Sequence, residues 1–190
     1  MTTDGVRTQL LTATVPFVLA SAQIQGVKRI ALLGSLTTTK VNPKDVDLLL
    51  SVEDTMDLEP LATAGRKLRG RVTSLTHSNY GADLFVASSR QRYLGRLCHH
   101  KECPGYRSNC EAAHCGRRPY LRDDLRSVTL EHALVVAPPL DLWPTIIARV
   151  AIPVDVEQYL VQPLLAQLGI GRSEQILLRM WRSGGGMSMM

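Results

Sequence analysis

No apolar run in this chain approaches the roughly 18 residues that a membrane-spanning helix needs. The start has neither the basic stretch nor the small-residue cleavage site of a secretory signal. Both absences lead us to expect a cytoplasmic protein with no membrane partner. Aromatic residues are scarce, with two Phe, two Trp and five Tyr in 190 residues, and no internal repeat is present. Cysteine is absent outside the short stretch Cys98–Cys115. What remains is ordinary: 45% hydrophobic and 21% charged residues suit a globular protein with a real core. The length has room for one domain, or one domain with a small appendage.

The net charge of +5 is concentrated. Nine Lys/Arg and four Asp/Glu fall between Arg90 and Arg126, and the thirteen of each sign elsewhere balance. The same stretch holds all four cysteines and three of the five histidines, His99, His100 and His114. An acidic constellation before residue 85 therefore stands beside a basic, thiol-rich segment after it.

Hydrophobic periodicity predicts a helix from Asp4, as its cap, to about Gln25. Pro16 then marks a kink or a later start. Val27–Leu33 reads as a strand stopped by Gly34, followed by a polar loop to Lys44 and a second strand over Asp45–Val52. A helix is expected over Leu58–Leu68, closed by Gly70, then a short strand near Arg71 and a buried strand over Ala82–Ala87. Residues 98–119 read as irregular, and Val128–Val136 as a strand. From Leu140 to Trp181 the pattern suggests two or three amphipathic helices, broken at Pro153 and Gly169–Gly171. The fold class is α+β. We divide the chain into a core (1–90), a basic Cys/His-rich insertion (91–126), a last strand with C-terminal helices (127–182) and a flexible tail (183–190).

Two acids interrupt the second strand. Alternation along a strand puts Asp45 and Asp47 on one face, about 7 Å apart, where they repel unless a cation lies between them. Hard divalent cations with oxygen ligands, magnesium above all, suit that arrangement. Asp83 repeats the anomaly among Ala82, Leu84, Phe85 and Val86. If its strand neighbours the other, three carboxylates converge. Gly34-Ser35, at the end of a strand, can turn backbone N–H groups and a hydroxyl toward an anion. Each feature also has a plain reading: a turn at Gly34-Ser35, a solvated edge strand at Asp45–Asp47, and an acid paired with a nearby arginine at Asp83.

Together they form a pattern. Leu33-Gly34-Ser35, nine residues, then Asp45-Val46-Asp47-Leu48 resembles the signature of the DNA polymerase β-type nucleotidyltransferase superfamily, and the smallest bacterial members are nearest in size. Asp83, 36 residues after Asp47, stands where that superfamily has its third carboxylate. The resemblance covers about residues 1–90 and implies a nucleotidyltransferase-like mixed sheet flanked by helices. It also implies two-metal chemistry, with Asp45, Asp47 and Asp83 holding magnesium and Asp83 available to the acceptor proton. Gly34 and Ser35 would hold the phosphates of an NTP such as ATP. Lys40 or Lys44, in the intervening loop, would neutralise the leaving group.

Cys98, Cys103, Cys110 and Cys115 are spaced x4, x6, x4 and suit structural zinc, with reduced thiols or disulfides as the alternatives. Arg90, Arg92, Arg96, Arg107, Arg117, Arg118, Arg122 and Arg126, interleaved with Tyr93, Tyr106 and Tyr120, suit an RNA backbone with base stacking, or else a solvated basic face. Leu160, Val161, Leu164, Leu165 and Leu168 make an apolar stripe that fits either an oligomer interface or the core. The expected function is magnesium-dependent transfer of a nucleoside monophosphate to a hydroxyl. The alternative is a silent nucleotidyltransferase fold used as a zinc-stabilised binding module for nucleic acid or protein.

Overall fold

The computed structural model describes residues 5–76, 81–100, 118–122 and 129–174. Helix α1 (Val6–Ala22) leads into strand β1 (Val27–Leu33), a single 3-10 turn (Gly34–Thr37) and strand β2 (Asp45–Val52). Helix α2 (Glu59–Thr76) is followed by β3 (Gly81–Ser88), β4 (Tyr93–Leu97) and the two-residue β5 (Leu121–Arg122). Then come the short helix α3 (His132–Val136), β6 (Leu140–Trp143) and β7 (Ile146–Ala148). Helix α4 (Val154–Val156) runs on through a π turn (Glu157–Val161) into α5 (Gln162–Leu168), and β8 (Arg172–Glu174) follows. The fold is mixed α+β. Eight strands form one sheet in the order β5-β4-β3-β2-β1-β6-β7-β8, with β2/β3 and β7/β8 parallel and the other pairs antiparallel. Strands from each of the three expected segments before the tail join it.

The two sheet faces are unequal. Ile30, Leu32, Val46, Leu48, Leu50, Leu84, Val86, Leu140 and Leu142 point to one face and pack with α1, α2 and the helices after Pro153. The other face carries a small cluster, Ala31, Leu33, Leu49, Phe85 and Ala87, capped by Val135 of α3. Asp45, Asp47 and Asp83 alternate onto this thinly covered face. The main core also accounts for the C-terminal apolar stripe: Leu160, Val161 and Leu164 are fully buried in it, and Leu165 and Leu168 pack against it.

Several elements differ from expectation, each for a tertiary reason. Helix α1 continues through Pro16 to Ala22. The carbonyl that loses its partner belongs to exposed Thr12, so water can meet it. The cap position is Gly5, and Asp4 lies outside the described residues. Helix α2 does not stop at Gly70 but runs to Thr76, replacing the strand expected near Arg71. Burial of Val72 in the core outweighs the roughly 1 kcal/mol that a helical glycine costs. Gly65, in the same helix, lets α2 approach Leu84 of β3 so closely that a Cβ would overlap its side chain.

Of the expected Val128–Val136 strand, Val128 lies outside the described residues and His132–Val136 is instead α3, whose carbonyls at Val135 and Val136 accept from the Arg29 guanidinium. Leu140–Ala148 is a hairpin, not a helix: Leu140, Leu142 and Ile146 are buried at strand spacing, and β6 completes the sheet beside β1. Pro153 and Gly169 do bound the helical stretch, as its N-cap and its left-handed C-cap. The tail 183–190 lies outside the described residues. No described helix is long and apolar enough to cross a membrane.

Candidate functional site

Parallel pairing of β2 with β3 sets Asp47 directly opposite Asp83 and Asp45 opposite Gly81. Residues in register share a face, so three half-buried carboxylates stand together. Antiparallel pairing with β1 places Leu33 opposite Asp47, and the chain then turns at Gly34 with φ +66. Only glycine takes that conformation without strain, and a Cβ at Gly34 would collide with Asp47 Oδ2. The glycine thus lies against the central carboxylate.

The three acids have different partners. Asp45 Oδ1 accepts from the Gly81 backbone N–H at 2.9 Å. Asp83 Oδ1 lies 3.3 Å from Arg96 Nη1, with 45% of its side chain exposed. Asp47 has acids for neighbours. Burial, then the charges of Asp83 and Asp45, raise its pKa from 3.8 to about 6, with Lys40 pulling the other way. A carboxylate so disfavoured by its own surroundings is short of positive charge. Its donor set, hard carboxylate oxygens, is the kind magnesium takes. Among the described residues, however, no three His, Cys, Asp or Glu side chains are grouped closely enough to hold a metal as they stand. Asp45 is turned to a backbone amide and Asp83 to a guanidinium.

Gly34 and Ser35 open the 3-10 turn, where Thr37 Oγ1 donates to the Gly34 carbonyl at 2.8 Å and Thr38 Oγ1 to that of Ser35 at 2.9 Å. Ser35 is half-buried. Lys40 is the loop cation whose charge is felt at Asp47, while Lys44 is exposed immediately before β2.

Two arginines take roles that the sequence does not assign to them individually. Arg96 pairs with Asp83, the plain alternative for that acid, but nothing in the sequence singles it out among eight neighbouring arginines. Arg7 donates to the Leu36 and Lys40 carbonyls and pairs with Asp155. A lone arginine in a helix's first turn carries no sequence signal for this.

Of the basic segment, Arg118 is engaged structurally, donating to the Glu53 and Met56 carbonyls at 3.1 and 2.8 Å. Arg96 and Arg122 are paired across β4 and β5. Burial, then the charges of His100, Arg69, Arg122 and Arg96, lower the pKa of His99, so the field at this sheet edge is positive. Tyr120 is buried, and half-buried Tyr93 packs at 6.4 Å from Phe85. Tyr106, Arg107, Arg117 and Arg126 lie outside the described residues. So do Cys103, Cys110, Cys115 and His114, leaving only Cys98 of the expected zinc set, which is buried and unpaired among the described residues.

Comparison with protein-family models, curated proteins and solved structures finds no match for this chain.

Proposed function

We propose that this protein is a magnesium-dependent nucleotidyltransferase that moves a nucleoside monophosphate from an NTP to a hydroxyl on RNA, a protein or a small molecule. One observation carries the reading. Asp47 and Asp83 stand opposite one another beneath Gly34, with Asp45 beside them, and the central acid is destabilised by the other two.

The resemblance in residues 1–90 supplies the reaction type: the acceptor oxygen bonds to the α-phosphorus, the bond to the bridging oxygen breaks, and pyrophosphate leaves. Magnesium, held by Asp45, Asp47 and Asp83, would supply charge neutralisation on the triphosphate and acidify the acceptor hydroxyl. The Gly34 turn brings backbone close to the carboxylates, and Ser35 offers a hydroxyl to the terminal phosphates. Lys40 or Lys44, both in the loop before β2, would neutralise the leaving group. Asp83 accepts the acceptor's proton, for which Arg96 must release it. A nucleotidyltransferase-like fold, a Cys-rich zinc insertion, RNA contact through residues 90–126 and a cytoplasmic setting complete the proposal.

The Arg96–Asp83 pair favours a second reading, in which the fold is catalytically silent and serves as a binding module for nucleic acid or protein. One experiment separates the two. The protein is incubated with each labelled NTP and magnesium, with and without total RNA. Label transferred to RNA, to the protein itself or to a small molecule supports the enzyme and identifies the acceptor class. RNA retention without transfer of any label supports the silent module.

A further inference from the structure

Arg7 lies in the first turn of α1, and Asp155, 148 residues later, lies in α4. Their side chains meet as a fork, Nε donating to Asp155 Oδ2 at 2.6 Å and Nη2 to Oδ1 at 3.2 Å. With 13% and 26% of the two side chains exposed, the pair is largely withdrawn from water, where a two-pronged arginine–carboxylate contact is stronger and more directional than on an open surface.

The remaining reach of the guanidinium goes to the loop between β1 and β2. Nη1 donates to the Lys40 carbonyl at 2.8 Å and makes a longer contact to that of Ser35 at 3.4 Å. Nη2 also donates to the Leu36 carbonyl at 3.1 Å. One planar group therefore joins Ser35, Leu36 and Lys40 and anchors them to the C-terminal half of the chain.

The loop needs such an anchor. Leu36 and Thr37 are buried, but of residues Thr38–Lys44 only Pro43 is, so packing beneath the second half of the loop does little to set its course. A segment with so little packing beneath it loses conformational freedom when it closes on a ligand, and that loss weakens binding unless the loop is already ordered. Arg7 itself, spent on Asp155 and three carbonyls, is not the group that meets a phosphate. It instead sets where Ser35 and Lys40 stand.

We propose that Arg7, anchored by Asp155, is the positioning residue of the phosphate loop, holding Ser35–Lys40 in the conformation that receives an NTP triphosphate. The nucleotide part rests on the reading of the site as a nucleotidyltransferase; the anchoring part does not.

The test uses the full chain with Arg7→Ala, Arg7→Lys and Asp155→Asn. The first measurement is hydrogen exchange, followed peptide by peptide without nucleotide. In Arg7→Ala, exchange in peptides covering 34–44 should rise about tenfold, while β1, β2 and β3 stay protected as in the wild type. Arg7→Lys keeps the charge but not the fork and should resemble Arg7→Ala. Asp155→Asn keeps the carbonyl contacts and should fall between. Unchanged loop exchange, a rise spread evenly over the sheet, or full rescue by lysine would each overturn the anchor.

The second measurement is steady-state transfer from magnesium ATP, GTP, CTP and UTP in turn. With the best of these, Arg7→Ala should raise KM about tenfold and leave kcat within about threefold. An unchanged KM would overturn the role in nucleotide reception. A wild type that turns over none of the four sinks the nucleotidyltransferase reading, and with it the nucleotide half of this proposal. The exchange result then still decides the anchor.

Discussion

Two acids on the same sheet face, half-buried Asp47 and buried Asp141, show how differently one anomaly can be resolved. Asp141 of β6 is 2% exposed. Arg149 Nη2 lies 2.8 Å from its Oδ2, and Arg29 Nε stands 3.3 Å from Oδ1, an ion contact poorly aligned for a hydrogen bond. Both guanidiniums go on to backbone carbonyls, at Val135, Val136 and Pro138, so this triad closes the sheet against α3 and the segment after it. Burial raises the pKa of each acid; at Asp141 the charges of Arg29 and Arg149 oppose that rise without cancelling it, whereas at Asp47 the charges of Asp83 and Asp45 add to it. Burial alone does not separate the two acids. The sign of the neighbouring charge does: Asp141 is ringed by cations and Asp47 by acids.

The largest effect that can break this contrast is on Asp141. Asp141→Ala leaves two half-buried guanidiniums without their acid and should cost about 3–5 kcal/mol in urea unfolding. A loss under about 1 kcal/mol would mean that the triad is no better paired than a surface bridge. Next is catalysis. Asp47→Asn or Asp83→Asn should cut magnesium-dependent transfer by at least about 10²–10³, the scale of losing one preorganised electrostatic group. Wild-type turnover in either variant would remove the triad from the chemistry.

Removing the charge of Asp47 should affect stability oppositely to removing Asp141. The folded pKa of Asp47, about 6, lies above the 3.8 of the free acid, so below both values the group is neutral in either state and costs nothing. As pH rises from about 4 through 6 the unfolded chain ionises first, and stability is lost. Asp47→Asn should therefore be more stable than wild type at pH 7.5 by about 1–2 kcal/mol, discounted for partial exposure, and indistinguishable from it near pH 3.5. Thermal melts across that range measure the difference, and a constant offset would reject the charge account.

Magnesium should sharpen the contrast further. At tenfold over its Kd it should stabilise wild type by about 1.4 kcal/mol at neutral pH and leave Asp47→Asn unmoved. The smallest expected effect is at Ser35. Ser35→Ala should weaken nucleotide binding about fivefold, the worth of one hydrogen bond, with stability unchanged. Unaltered affinity would reduce Gly34-Ser35 to a turn.

The inner strands were legible because their apolar residues stop where charge or glycine begins. Val27–Leu33 ends at Gly34, and Asp45–Val52 starts at its own acids. The site was legible for the same reason, since an acid inside an apolar strand stands out in a linear sequence. The helix-to-strand reversals at Val128–Val136 and Leu140–Ala148 were not, because short apolar runs fit either period. Arg29, which secures α3 and pairs with Asp141, acts from more than a hundred residues away. The partners of Arg7 and Arg96 were not legible either, because what makes an arginine matter is the group it faces.

By itself the sequence determined the inner strands, the residues of the acidic cluster and the glycine that must accompany it, because these depend on local conformation and on the cost of charge in apolar surroundings. Only the tertiary structure decided that Asp83 lies opposite Asp47, that Asp141 is neutralised while Asp47 is not, and that Arg7 holds the intervening loop. Each of these is a pairing between distant segments. Its energy comes from sheet register and from burial on folding, and neither exists until the chain has closed on itself.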